Sequence, residues 1–178
     1  MPSQPKSVPL PAESRLRQVY DRTDLADAYA IVLPRGTSSD PELLARFVFS
    51  HQPRWVSALM EVRDTVVAGF GLKTGRSLRS PEQQRGRIGI FRVYETSARE
   101  VIMGEDDKHL DFRASVFYRA ASDEPAAEAH LVLSTVVHCH NLLGRSYLTL
   151  IAPFHRMVVQ AFLRKAAKAG WPRAPQLV

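Results

Sequence analysis

Side chains that can move protons and bind anions are concentrated in residues 107–118. The stretch reads Asp-Lys-His-Leu-Asp-Phe-Arg-Ala-Ser-Val-Phe-Tyr and alternates polar with apolar residues, which is typical of a β-strand with one dry and one wet face. His109, Asp111 and Arg113 then share the wet face. An imidazole and a carboxylate can act as general acid and base, and a guanidinium can bind a carboxylate through two hydrogen bonds. The pattern predicts either a functional cluster or a salt-bridged surface.

A second strand-like run brings further histidines to the same cluster. If residues 130–140 pair with this strand as a hairpin, the dry faces must match, because a slip of one residue turns a whole face over. With a tight connection near residues 122–126, this pairing places His109 near His140 and Asp111 near His138. Such side chains can ligate a divalent metal, but a metal site also needs a wall that excludes water and groups that orient the ligands. We therefore expect a solvated sheet face rather than a metal centre. The candidate catalytic residues are His109, Asp111, Arg113 and His138.

The elements that must position this cluster indicate an α+β fold. Asp40 and Pro41 are typical of a helix start, and Pro153 lies inside a long helical pattern that either kinks or restarts there. Helices and strands are segregated along the chain, which favours a curved antiparallel sheet wrapped around the long C-terminal helix. The predicted order is a strand at 27–33, two short helices starting at Pro41 and spanning 53–70, strands at 88–94, 100–104, 109–119 and 130–140, and a helix at 143–168.

A long helix laid across a concave sheet can leave a cavity between the two, and small-molecule sites are commonly found in such places. The apolar residues expected to line it are Phe112, Val116, Leu133, Val137, Phe154 and Val158. Periodicity alone places His109, Asp111 and Arg113 on the opposite, outer side. Because charged residues are seldom buried without a role, the reverse orientation, with all three facing the cavity, also stays open.

The length and composition fit one domain. The chain has 178 residues, a formal net charge of +6 and a single cysteine, Cys139. We expect flexible tails at residues 1–20 and 171–178 around a domain at 21–170. The N-terminus lacks the apolar segment of a signal peptide, and charged residues interrupt the apolar run at 142–163. The sequence therefore predicts a cytoplasmic protein with no membrane span, and either a monomer or a homodimer.

Positive charge is concentrated in a polar loop at residues 73–87. Such a loop is either simply solvated or closes over an anionic ligand. It lacks the Gly-Lys-Ser/Thr of a phosphate loop, and no aromatic residues are interleaved with its basic ones. We predict no cofactor and no nucleic-acid partner. His155 and Arg156, in the last helix, are either a polar contact at a cavity mouth or part of the helix surface.

Three motifs resemble those of a bacterial family. They are Phe-Gly-Leu-Lys-Thr-Gly at 70–75, Asp-Lys-His-Leu-Asp-Phe-Arg at 107–113, and Asn-Leu-Leu-Gly-Arg at 141–145 followed by Pro-Phe-His-Arg at 153–156. Over about residues 25–169 the chain resembles the family known as domain of unknown function 2867. The resemblance implies a helix-grip fold, as in START domains, polyketide cyclases and plant pathogenesis-related proteins. It implies no particular reaction, and fold alone does not supply one.

Three functions are compatible with these patterns. The first is binding of a small, largely apolar molecule, with or without a carboxylate, in the cavity between sheet and helix. The second is an enzyme of the cyclase, hydratase or lyase type that uses His109, Asp111 and Arg113 for acid–base and anchoring roles. The third is an interaction module whose basic loop and C-terminal helix dock an acidic partner or a membrane surface. The sequence leaves open whether any reaction is catalysed.

Overall fold

The computed structural model describes residues 3–53, 55–56, 86–121 and 128–174. These residues form an α+β fold, in which a curved antiparallel sheet of seven strands packs against a long C-terminal helix. The strand order across the sheet is β1-β2-β7-β6-β5-β4-β3. The fold class expected from the sequence is therefore confirmed, and it is consistent with a helix grip. The strands are β1 Lys6–Ser7, β2 Leu25–Val32, β3 Arg87–Ile88, β4 Phe91–Thr96, β5 Glu100–Asp106, β6 Leu110–Arg119 and β7 His130–Cys139, and the helices are a 3-10 helix at Arg15–Gln18, α1 Pro41–Ser50 and α2 Leu142–Ala169.

The first α-helix begins where the sequence predicts. Asp40 caps it by accepting hydrogen bonds from the backbone N–H groups of Glu42 and Leu43 at 2.9 and 3.3 Å. Pro41 occupies the first helical turn, where a missing N–H costs nothing. The predicted helix at 53–70 and the basic loop at 73–87 lie almost wholly outside the described residues.

The inner face of the sheet, defined as the face that packs against α1 and α2, carries the main core. Apolar residues alternate along β6 and β7, so that Val116 and Leu133 point to this side. They pack with Leu44 and Val48 of α1 and with Phe162 of α2. This burial fixes the sheet register, because a shift of one residue would turn these side chains outward.

Helix α2 continues through Pro153 as one helix of 28 residues. Asn141 caps its start by accepting a hydrogen bond from the N–H of Gly144 at 3.0 Å. The helix ends at Gly170, whose φ of +86° suits glycine because it has no Cβ to clash. Among the described residues, no helix is long and apolar enough to cross a membrane.

The N-terminal segment, residues 6–24, packs against the outer face of the sheet. β1 pairs with β2, and Leu16 is fully buried beside Ile102 and Val136. Val8 and Leu10 pack against a second outer-face cluster around Phe117. The expectation of a flexible tail at residues 1–20 is therefore wrong for residues 6–20, since their apolar side chains cover sheet surface that would otherwise meet water.

The C-terminal boundary also differs from the expected one at residue 170. Trp171 packs against the core, with its ring 5.9 Å from that of Phe47. Arg173 forms a β-bridge with Thr37, and Ser38 N–H donates to the carbonyl of Pro172 at 2.8 Å. Residues 171–173 thus belong to the folded domain rather than to a tail.

Candidate functional site

The candidate residues on β6 and β7 pair in the predicted register. Asp111 lies opposite His138, and His140 N–H donates to the carbonyl of His109 at 2.9 Å. The closest side-chain contact is diagonal, with His140 Nε2 3.0 Å from a carboxylate oxygen of Asp111. The other Asp111 oxygen accepts the backbone N–H of Asp107. The sequence therefore predicts the strand pairing correctly, whereas the side-chain partner is His140 rather than His138.

Asp111, Arg113 and Ser115 lie on the outer face, but this face is only partly solvated. The N-terminal segment covers it, so that Arg113 and Ser115 are both buried. Ser115 and Ser14 each donate a hydrogen bond of 2.5 Å to the buried carboxylate of Glu100, and Arg15 N–H donates to it at 3.0 Å. The sequence left open whether these side chains face the cavity or the bulk solvent. The structure shows a third arrangement, in which the chain's own N-terminal segment packs on the face that carries Asp111 and Arg113.

Arg113 is held by charge and by aromatic rings. Its guanidinium lies 2.7 Å from a carboxylate oxygen of Asp106 and donates to the carbonyl of Phe112 at 2.9 Å. The guanidinium carbon is 3.6 Å from the ring centroid of Tyr94 and 5.7 Å from that of Tyr20. Burial and the hydrogen bond to Asp106 raise the pKa of Tyr94 to about 12, so its hydroxyl stays protonated. These contacts leave little of the guanidinium available for a ligand.

His138 ties the N-terminal segment to the sheet. Its Nδ1 donates to the carbonyl of Arg22 at 2.8 Å. Next to it, Asp24 accepts the backbone N–H of Cys139 at 2.8 Å and pairs with Arg22 at 3.0 Å. The hydrogen bond from Cys139 lowers the pKa of Asp24, with a smaller contribution from Arg22 and against the effect of burial. Burial raises the pKa of the Cys139 thiol, which agrees with a small buried side chain rather than a nucleophile.

His109 lies in the turn before β6 and contacts the start of α2. Its Nδ1 accepts a hydrogen bond from the side-chain amide of Asn141 at 3.0 Å, while its Nε2 is buried with no partner among the described residues. A Cβ at Gly144 would lie 2.2 Å from the carbonyl oxygen of His109, so only glycine fits there. Two of the three motifs that resemble the family, at 107–113 and 141–145, therefore contact each other where β6 begins and α2 starts. The third, at 70–75, lies outside the described residues.

The expected cavity-lining residues occupy different surroundings. Val116, Leu133 and Val158 are buried together in the main core, and Val137 packs with Cys139 and Leu148. Phe112 is partly buried, with its ring edge-on to that of Phe91 at 5.4 Å. Phe154 is exposed on the opposite side of α2 from the core. Together, these six residues therefore do not line one cavity.

Cavities elsewhere among the described residues include two that border α2. The first, which we call the cationic cavity, has a volume of about 630 Å³ on the outward side of α2. Apolar side chains and four cations surround it, and the lining residues are Pro53, Trp55, Arg156, Met157, Gln160, Ala161, Arg164, Lys165 and Lys168.

The second, which we call the edge cavity, has a volume of about 450 Å³ and lies where β1 ends beside β2, with Asp27, Tyr29 and Arg156 in its lining. Close by, His155 Nε2 is 3.4 Å from one carboxylate oxygen of Asp27, and the other oxygen is buried with no partner among the described residues. His155 therefore makes a polar contact near a cavity, and its partner is Asp27, which the sequence did not indicate.

The described part of the chain contains no group of three or more His, Cys, Asp or Glu side chains placed to hold a metal ion. The charges on the outer face are paired with one another, whereas those around the cationic cavity have no acidic partner in the part of the chain that the structure describes. The cations around the cationic cavity were not predicted from the sequence, although the run of basic residues in the last turns of α2 is a visible signal.

An α+β domain with a long helix packed on a curved sheet is the class that this geometry defines. The chain belongs to the family described as "Protein of unknown function (DUF2867)", whose family model matches residues 19–162. No curated protein and no solved structure matches the chain. The match covers β2–β7, α1 and the part of α2 that includes both α2 motifs. Because the family description names no function, the proposal for function depends on the geometry of this chain.

Proposed function

We propose that the protein binds a small amphipathic anion, an apolar molecule that carries a carboxylate or similar group, in the cationic cavity. The observation that carries the proposal is the combination of an apolar floor with four cations that have no carboxylate partner among the described residues. The volume of about 630 Å³ falls in the range of about 300–1,000 Å³ that is usual for small-molecule sites.

The floor of the cavity is made by side chains that water solvates poorly. Trp55 is 46% exposed and Met157 is 57% exposed, which is high for residues of this size. Pro53 and Ala161 complete the apolar lining. An alkyl or ring system placed against this floor would remove apolar area from water on both partners, and this burial is the main driving force for binding.

The cations around the floor keep neutral partners. Arg164 donates to the side-chain oxygens of Gln4 and Gln160 at 3.2 and 2.6 Å, and Lys165 donates to the carbonyl of Gln52 at 2.9 Å. Neither these two nor Arg156 and Lys168 form an ion pair with a carboxylate among the described residues. An anionic ligand would therefore gain charge-assisted hydrogen bonds without breaking a salt bridge.

Tryptophan fluorescence provides a direct test. The chain has two tryptophans, and Trp171 packs in the core, so a Trp171→Phe background leaves Trp55 as the only indole. We expect decanoate to change the Trp55 emission, decanol to do so at higher concentration, and decyltrimethylammonium to have the least effect, because the cations repel it.

A charge-reversal pair checks where the anion binds. Lys168→Glu should weaken decanoate binding by about fivefold or more, since it replaces an attractive charge by a repulsive one. Lys108→Glu is the matched control, because Lys108 is exposed and lies outside the cavity lining. Equal affinity for the three amphiphiles, or equal weakening by both variants, would contradict the proposal.

The acid–base alternative has less support from the geometry. Arg113, Asp111 and His138 make their hydrogen bonds to other parts of the chain, and the N-terminal segment covers them. The third alternative, a basic interaction surface, has a separate observation in its favour and is developed below. We further propose a cytoplasmic location, which the single, buried Cys139 supports.

A further inference from the structure

Large apolar side chains form an exposed row on α2, which we call the apolar stripe. Its members recur every three or four residues and so lie along one side of the helix. Leu150 is 66% exposed and Phe154 is 49% exposed. The buried side of the same helix is formed by other residues, among them Leu148, Val158 and Phe162. The stripe consists of the exposed residues Leu143, Leu150, Phe154 and Met157, with the half-buried Tyr147 between the first two.

The stripe is long enough to be an interaction surface. From Leu143 to Met157 the helix rises about 21 Å at about 1.5 Å per residue. Single exposed apolar residues are ordinary, but a continuous row of this length on a water-facing helix marks a contact surface. Only its last member, Met157, also lines the cationic cavity.

The charges of α2 identify the kind of partner. The helix contains five Lys or Arg residues and no Asp or Glu. Ala161 continues the stripe by one step, and the next positions on the same side are Arg164, Lys165 and Lys168. A second α2 packed in parallel would place like charges against one another, and an antiparallel one would offer them no acidic residue, whereas an anionic surface would complement them.

We propose that α2 docks on an anionic lipid bilayer, with the stripe in the boundary between headgroups and acyl chains. A helix with Leu and Phe on one side and only basic charges is typical of an interfacial helix, and each Lys or Arg near an anionic membrane adds to the attraction. An acidic protein would have to supply a matching apolar groove about 21 Å long, and nucleic-acid phosphates would not bury Leu150 or Phe154. The inference goes beyond ligand binding and does not depend on it.

Vesicle co-sedimentation tests the docking. We expect the protein to sediment with mixed phosphatidylcholine–phosphatidylglycerol vesicles at low salt, less so at high salt, and not with phosphatidylcholine alone. The double substitution Leu150→Glu with Phe154→Glu should lower the affinity by at least about tenfold, because charged side chains are poorly accommodated among acyl chains. Leu43→Glu is the control, since Leu43 is an exposed apolar residue on α1.

Three results would overturn the inference. They are no binding to the mixed vesicles at low salt, equal weakening by the stripe and control variants, and tighter binding to polyglutamate or DNA than to the vesicles. The decanoate titration, repeated on the stripe variant, keeps the two proposals distinct. Leu150 and Phe154 do not line the cationic cavity, so this variant should keep its decanoate response whether or not the membrane inference holds.

Discussion

The outer face of the sheet and the outward side of α2 are both rich in charge, but the structure uses the charge differently. On the sheet, Arg113 is paired with Asp106, and Asp111 with His140. On the helix, Lys165 and Lys168 have no acidic partner among the described residues. The paired charges on the sheet serve the fold, and the accessible cations without an acidic partner in the described part of the chain remain available to a ligand. The region with the more suggestive residue types is therefore the weaker functional candidate.

The largest expected effect is on the corner where the two motifs meet. Gly144→Ala should lower the free energy of unfolding by about 2–4 kcal/mol, because the new Cβ would meet the backbone oxygen of His109 at 2.2 Å and backbone cannot move aside cheaply. Urea unfolding followed by circular dichroism measures the change. Ser146→Ala, an exposed position in the same helix, is the control. A Gly144→Ala variant as stable as the unmodified chain would show that packing does not require glycine at this position, and would reopen a functional role for His109.

Arg113 gives the next largest effect. Arg113→Ala should cost about 2 kcal/mol of stability, since it removes the pairing with Asp106, the stacking on Tyr94 and the packing of the buried alkyl chain. Arg119→Ala, at the end of the same strand, should change the stability much less. If both variants unfold at the same urea concentration, Arg113 is not a structural residue and the acid–base alternative gains weight.

Asp24 should make the attachment of the N-terminal segment depend on pH. Its pKa is lowered in the folded protein, so its contribution to stability is complete above the unfolded pKa of about 4 and is lost as the pH falls through the folded value. Asp24→Asn should therefore lose about 1 kcal/mol at neutral pH, and the difference from the unmodified chain should shrink in acid. Unfolding curves over a pH series measure it, and a difference that does not vary with pH would contradict the assignment.

The sequence predicts the strand pairing and the long helix well, because alternation and helical spacing are local signals. It also predicts the register of Asp111 with His138, since matched dry faces decide which side chains share a face and a tight connection near residues 122–126 then selects the pairing. It does not predict that residues 6–24 cover the outer face. Val8, Leu10 and Leu16 do not recur at strand or helix spacing, so no local pattern indicates their role. They are buried by long-range contacts such as that of Leu16 with Ile102.

The cavity predicted between the sheet and the C-terminal helix illustrates the same limit of local sequence patterns. An apolar row on β6 and β7 is equally compatible with an open cavity and a filled core, because the outcome depends on how closely Val158 and Phe162 of α2 approach the sheet. In the structure they fill the space. The side chains that do line the cationic cavity, such as Trp55 and Lys168, come from separate parts of the sequence, so no single local pattern brings them together.

Substitution of a cation on α2 should have the smallest effect on stability. It is also the clearest test of the difference between α2 and the outer face of the sheet. Lys168 is exposed near the end of α2, so Lys168→Ala should leave the urea midpoint unchanged while weakening decanoate binding, because one attractive charge is lost. Arg113→Ala should do the reverse, lowering stability while keeping decanoate affinity in the fraction that stays folded. If Lys168→Ala instead destabilises the fold and leaves binding intact, the unpaired cations are structural, and the contrast between sheet and helix does not identify the binding region.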